Sequence, residues 1–381
     1  MKKVILLDVD GVLVTPGGYR AALRATMHRF FNLMSLDSFD IPEENLTVLE
    51  NRGITSEWDM IPLLLASMWS DILRESSVQN LPPDLSSAAV EIGKYLRGDK
   101  PVNINIPMFE LVAGQYPSET ALQQNCFSSI PMELRTNILH KTRDIHFSQT
   151  MRFFQHFTLG SLKFTQTYNL PAELETESFL LTYDASNIDS EIRARLLGPG
   201  IYPVAFTSRP SGPPREVGES IVGYAPEAEL ALKLVGLPDI PLIAFGKLEY
   251  LASKHGLDPV ALVKPSPIHA LAAIAAAFTG EELSAIQAAA DWQQTGPLNS
   301  VFSSLPRSFE LIVVEDTMSG IHSTLKAGEI LQRAGLDVNT RAFGFTSGSS
   351  MKAIAFQQAG IPCFEDWESL LNKIEIDGKD G

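Results

Sequence analysis

Residues 4–13 read VILLDVDGVL, a short run of branched apolar residues that ends in two aspartates and a glycine. A run of this length, bounded by a glycine, is the pattern of a buried strand of the kind a helix-covered parallel sheet contains. Asp8 and Asp10 stand where that strand ends, separated by Val9 and followed by Gly11. Two readings compete for them: an acidic strand-to-turn junction, or a reactive carboxylate pair presented by the strand.

The texture changes after the first strand. Residues 19–31 and 60–73 repeat apolar residues at helical spacing, and residues 131–157 do so again through Leu134, Ile138, Phe153, Phe154 and Phe157. Between them, residues 80–107 are rich in Pro and Asn and read as loop. Strand-like runs return as FLLTYD (179–184), YPVAFTS (202–208), ALVKP (261–265), FELIVVED (309–316) and RAFGFTS (341–347), with helical pattern between them. The segment IRARLLGPG (192–200) ends a helix with glycines and a proline. Strands alternating with helices imply an α/β fold, a parallel sheet covered on both faces. The economical arrangement returns residues 1–14 to the same sheet as residues 178–381, with residues 15–177 as a large, mostly helical insertion after strand 1.

Composition removes several function classes. The 381 residues carry a formal net charge of −15, which argues against a module that grips nucleic-acid phosphates. Cys126 and Cys363 are too far apart in sequence to suggest a disulfide or zinc framework. His140, His146 and His156 read as ordinary residues of helical segments. Asp8 interrupts the N-terminal apolar run before a secretion signal could form, and ALAAIAAAF (270–278) is too short to span a membrane. The expectation is a soluble cytoplasmic protein, monomer or homodimer, with no nucleic-acid or membrane partner.

Ligands of open parallel sheets bind beyond the carboxyl ends of the strands. Four segments end there in polar residues: Asp8 and Asp10, then Thr207-Ser208-Arg209, Lys264-Pro265 and Glu315-Asp316. At these residues the chain resembles the haloacid dehalogenase-like (HAD) superfamily. DVDGVL is similar to its first motif and VAFTSRP to the strand ending in a phosphate-binding Thr or Ser. KPSP resembles the lysine motif, and VVEDTMSGI (313–321) the acidic metal motif of the phosphatase and phosphomutase branch. The four come in the family's order, over residues 1–14 and roughly 178–375.

The resemblance implies a doubly wound Rossmann-like core with a helical cap domain inserted after strand 1. It implies Asp8 as a nucleophile that forms an aspartyl-phosphate, and Asp10 as the group that protonates the leaving oxygen and then activates water. Thr207 and Lys264 would hold phosphoryl oxygens, with Gly11, Ser208 and Arg209 around the phosphate. Mg²⁺ would be held by Asp8, Asp10 through its carbonyl, and Asp316, with Glu315 as a supplementary ligand. Relatives that displace halide lack an aspartate at the position of Asp10, so its presence favours phosphate chemistry.

Each residue also has a plainer reading. Thr207 could cap a following turn, and Arg209 divides between substrate contact and structural salt bridge. NRGITSEWDM (51–60) resembles the cap loop of relatives, which makes Arg52, Thr55 and Trp58 candidate substrate contacts. Ordinary helix-start residues, with Thr55 or Ser56 as cap, is the alternative. The insertion is far longer than the compact cap of relatives, and residues 278–306 add a further helix and loop. The reading that results is an Mg²⁺-dependent phosphatase for a small phosphorylated metabolite. A phosphomutase on the same core and a non-catalytic binding protein are the alternatives.

Overall fold

Side chains of β1 (Lys3–Leu7) alternate between two apolar layers. Val4 and Leu6 enter one core with Val204, Phe206, Leu311 and Val313, while Ile5 and Leu7 enter the other with Ala205, Ile312 and Val314. Four successive apolar residues, Val4 to Leu7, suit a strand only if both faces of its sheet are covered, and here both are. The computed structural model describes residues 2–74, 80–96, 103–218, 223–296 and 300–376.

Two short strands, β2 (Val14–Thr15) and β3 (Ala185–Ser186), pair with each other. The main sheet adds β4 (Ile201–Phe206), β5 (Leu242–Ile243), β6 (Ser308–Glu315), β7 (Asp337–Phe345) and β8 (Cys363–Phe364). Its order is β5-β4-β1-β6-β7-β8, and every pairing is parallel. Helices Pro267–Thr279, Glu282–Thr295 and Met318–Arg333 contribute to the first layer, helices Ser190–Leu196, Glu227–Leu234 and Trp367–Ile376 to the second. The α/β class and the parallel sheet follow. Among the described residues, no helix is long and apolar enough to cross a membrane.

The chain divides into two compact units, residues 1–17 with 183–381, and residues 18–182. The boundary expected after residue 14 therefore lies three residues later, because β2 and β3 bind residues 14–15 into the sheet unit. The boundary expected at 178 moves to 183. Ser178 Oγ donates to Thr158 O at 2.8 Å and Phe179 packs on Phe157, which keeps residues 178–182 with the second unit. FLLTYD is accordingly a short helix, Phe179–Tyr183, and not a strand.

Two further expectations are corrected. In ALVKP, Ala261 and Leu262 end a 3-10 turn, Pro259–Leu262, and residues 263–265 follow as an irregular segment. Pro259 fixes the backbone at the start of the turn and the Asp258 carboxylate caps it through Val260 N–H, which leaves too few residues for a strand. The stretch 80–107, expected as loop, contains helix Leu85–Gly93. Asp84 caps that helix by accepting from Ser87 N–H, and Leu85, Ala88, Ala89 and Ile92 form its buried stripe. Strand β5 escaped notice because only two residues of it pair.

The second unit is helical and has its own core, built on helices Gly18–Leu33, Glu57–Leu73, Met132–Leu139 and Gln149–Leu159. His156 is fully buried in it, with Nδ1–H on Arg152 O and Nε2 accepting from Glu173 N–H. Burial lowers its pKa, and the two bonds fit the neutral ring. It is a structural residue, as its setting in a helix suggested.

The added helix Glu282–Thr295 has a defined place. Glu282 is fully buried and accepts N–H bonds from Leu242 and Arg215, and it pairs with the Arg215 guanidinium and the Lys247 ammonium. The Glu216 carboxylate in turn caps the helix through the N–H groups of Glu282 and Leu283. The helix thus pins the loop that follows β4 to the edge strand β5. Removing one partner of such a network leaves buried charge uncompensated. Glu282→Ala should lower unfolding free energy by about 3 kcal/mol in urea denaturation, whereas exposed Glu281→Ala should change it by less than about 0.5 kcal/mol.

Candidate active site

Strand β1 lies between β4 and β6, and the remaining strands run outward from these two in opposite directions. A crevice opens at the carboxyl ends where a doubly wound sheet reverses its strand order in this way. Asp8, the first residue after β1, is anchored there by its N–H on Val314 O at 3.1 Å. Thr207 follows β4, and Glu315 and Asp316 stand at the end of β6.

The turn after Asp8 is closed by Gly11 N–H on Val14 O and Val14 N–H on Val9 O. Gly11 has φ of +75°, and a Cβ on it would run into the Asp316 carboxylate. Glycine is required here twice, for the backbone conformation and for the close approach of Asp316. Gly320 serves Glu315 in the same way, since a Cβ there would occupy the space of that carboxylate.

Lys264 links two of the acids. Its Nζ lies 2.8 Å from Asp8 Oδ1 and 2.5 Å from Glu315 Oε1, with the Phe206 ring centroid 4.5 Å away. The second Glu315 oxygen accepts from the N–H and hydroxyl of Thr317, both at 3.0 Å. Asp316 Oδ2 accepts from Lys352 Nζ at 2.6 Å. One oxygen of each of Asp8, Glu315 and Asp316 lies within 4.8 Å of the other two, the one such acidic cluster among the described residues.

The electrostatics follow from two buried carboxylates sharing one ammonium. Burial opposes the charge on Lys264, but Asp8 and Glu315 outweigh it and hold the amine protonated, above its ordinary range. Burial and then Glu315 raise the Asp8 carboxyl well above the usual range, against the pull of Lys264. Burial also raises Asp316 despite Lys352. The cluster gathers three carboxyl groups around two ammonium groups. Oxygen donors crowded in this way fit a hard divalent cation, which would relieve the repulsion that raises Asp8.

Other expected residues are placed differently. The Asp10 side chain stands outside the acidic cluster and is held by Arg209, with Nε at 2.8 Å and Nη2 at 2.6 Å from its two oxygens. Arg209 also binds Asp184 at 2.9 Å and is itself buried, so it stands in a salt bridge with two aspartates. Thr207 is buried and its Oγ1 accepts from Arg209 N–H at 3.3 Å, while Ser208 is exposed. Arg52 and Thr55 belong to the other unit. Arg52 donates to the carbonyls of Ile106 and Pro107, both at 3.1 Å, Thr55 is exposed, and the Trp58 ring lies under Arg143.

Three residues escaped the sequence reading. Lys352 gave no signal because a lysine near a helix start is ordinary in sequence. Asp184 stood at the end of a run read as a strand, and its partner is far away in sequence. His269 is fully buried behind Lys264: Nδ1 accepts from Lys264 N–H at 3.3 Å and Nε2–H donates to Ile243 O at 2.9 Å. Burial first, and the Lys264 charge second, lower its pKa to about 3.

No family model, curated protein or solved structure matches this chain.

Two pH effects follow. His269 stays neutral in the fold but takes up a proton when unfolded, so it lowers stability as pH falls from 6.5 towards 3. His269→Gln should flatten the slope of unfolding free energy against pH by up to about one proton in that window. Asp8 has the opposite sign, since its folded pKa is raised and its charge costs stability as pH rises. Asp8→Asn should therefore melt higher than the wild type at pH 8 in metal-free buffer, with the gap narrowing as pH falls.

Proposed function

We propose that the protein is an Mg²⁺-dependent phosphatase of the HAD-like type, acting on a small phosphorylated metabolite through an aspartyl-phosphate at Asp8. One observation carries the reading. Asp8, at the end of the central strand, shares Lys264 with Glu315 and stands within 4.8 Å of Glu315 and Asp316. The parallel order β5-β4-β1-β6-β7-β8, with a helical unit inserted between β2 and β3, supports a doubly wound core bearing a cap.

Phosphoryl transfer needs an in-line nucleophile and positive or hydrogen-bonding groups for the equatorial oxygens. Asp8 is the carboxylate presented for attack on phosphorus; the bond to the leaving oxygen breaks as the Asp8–phosphorus bond forms. Bound to Asp8, Glu315 and Asp316, Mg²⁺ would neutralise charge developing on the phosphoryl oxygens. Lys264 holds Asp8 in place and offers its ammonium to the same group. The Thr207 hydroxyl, at the end of the neighbouring strand, is the hydrogen-bond donor.

Asp10 carries the proton. It gives one to the leaving oxygen and then takes one from the water that attacks the phosphorus and returns Asp8 to a carboxylate. Arg209 docks Asp10 through both oxygens, and Asp184 fixes Arg209 from behind. Asp10 exchanges Arg209 for the leaving oxygen when substrate binds.

Phosphate release from a generic aryl phosphate, followed by a panel of phosphorylated metabolites with Mg²⁺, tests the reading. Asp8→Asn should abolish release while circular dichroism stays unchanged, and Asp10→Asn should slow it by roughly 10²–10⁴-fold. A chelator should stop turnover and added Mg²⁺ should restore it. Metal-dependent turnover retained in Asp8→Asn would overturn the mechanism.

A further inference from the structure

Helix Ser350–Gln358 has no acidic residue in its first turn and carries Lys352 there. A cation at that end opposes the partial positive charge of a helix N-terminus, so the helix itself disfavours the lysine. The Ser349 hydroxyl caps the helix by accepting Lys352 N–H at 3.4 Å, which fixes the backbone from which this side chain departs. The side chain runs to Asp316 and is itself only partly buried.

The cluster therefore contains two different cations. Lys264 has 5% of its side chain exposed and is enclosed by Asp8, Glu315 and the Phe206 ring, so it cannot leave without stranding buried charge. Lys352 has 35% exposed and, among the described residues, one carboxylate partner, so it can withdraw into solvent. Asp316 Oδ2, the oxygen it holds, is also the oxygen that Gly11 allows to press against the turn after Asp8.

We propose that Lys352 is a displaceable counter-ion that holds Asp316 until a divalent cation takes the carboxylate over. The inference rests on reading Asp8, Glu315 and Asp316 as a divalent-cation centre. An ammonium and a divalent cation repel one another on one carboxylate. Metal binding is then an exchange in which the Asp316–Lys352 pair breaks, and affinity is weakened by what that pair contributes. A charge-assisted bond of this kind corresponds to roughly a tenfold or greater change in an equilibrium constant.

Calorimetric titration with Mg²⁺ alone, on the full chain, tests this without reference to turnover. Lys352→Gln should bind Mg²⁺ about tenfold or more tightly than the wild type. Lys352→Arg, which keeps the charge, should remain within a few-fold of the wild type, and Asp316→Asn should lose binding. Circular dichroism confirms that each variant is folded. Equal affinity of wild type and Lys352→Gln, with binding lost in Asp316→Asn, overturns the role of Lys352 and leaves the metal centre standing. Equal tightening by Gln and Arg also overturns it, because charge would not be the cause. Absence of Mg²⁺ binding in the wild type and in Lys352→Gln alike overturns the metal centre itself, and the inference with it.

Discussion

A single buried ammonium makes the arrangement of this site possible. Asp8 and Glu315 end adjacent strands of one parallel sheet, and both are withdrawn from water. Two carboxylates so placed repel each other in a medium that screens poorly, and a cation between them offsets that repulsion. Lys264 is that cation, and it arrives from a turn outside the sheet. Its own position depends on His269, whose neutral ring accepts the Lys264 N–H and donates to the carbonyl of Ile243 in edge strand β5. The charge at the centre of the crevice is thus fastened to the edge of the sheet.

Close approach is the second condition. Asp316 and Glu315 are consecutive, so a strand would send them to opposite faces; the end of β6 and the start of helix Met318–Arg333 turn both towards the crevice. That geometry works because Gly11 and Gly320 carry no Cβ where the two carboxylates lie. Around this centre the charges sort into an inner and an outer set. Lys264 is enclosed, while Lys352 remains partly in water; Arg209 draws Asp10 to one side and ties it to Asp184. The two aspartates of VILLDVDGVL therefore face different partners, although one residue separates them.

Much of the site is legible as residue types in order. Asp8, Glu315 and Asp316 interrupt apolar runs at strand ends, and the structure brings these three together with Lys264. Arg209 is the instructive exception. Its place beside Thr207 gives no sign of a carboxylate partner, and only the tertiary structure brings Asp184, 25 residues earlier, against it. Lys352 is invisible for a related reason, since its meaning comes from an aspartate 36 residues away and from nothing in its own helix.

The sequence by itself determined the α/β class, the parallel strands and the helical character of the long insertion, because hydrophobic periodicity is local and reports burial directly. It determined the candidate carboxylates in the same way, as polar residues ending apolar runs. Only the tertiary structure decided which strands are neighbours, where the chain passes from one unit to the other, and which cation each acid owns. Those are pairings between residues tens to hundreds of positions apart, such as Lys264 with Asp8 and Ser347 with Gly11. No local pattern encodes them, since an ion pair leaves the same residue types in the sequence whichever partner it finds.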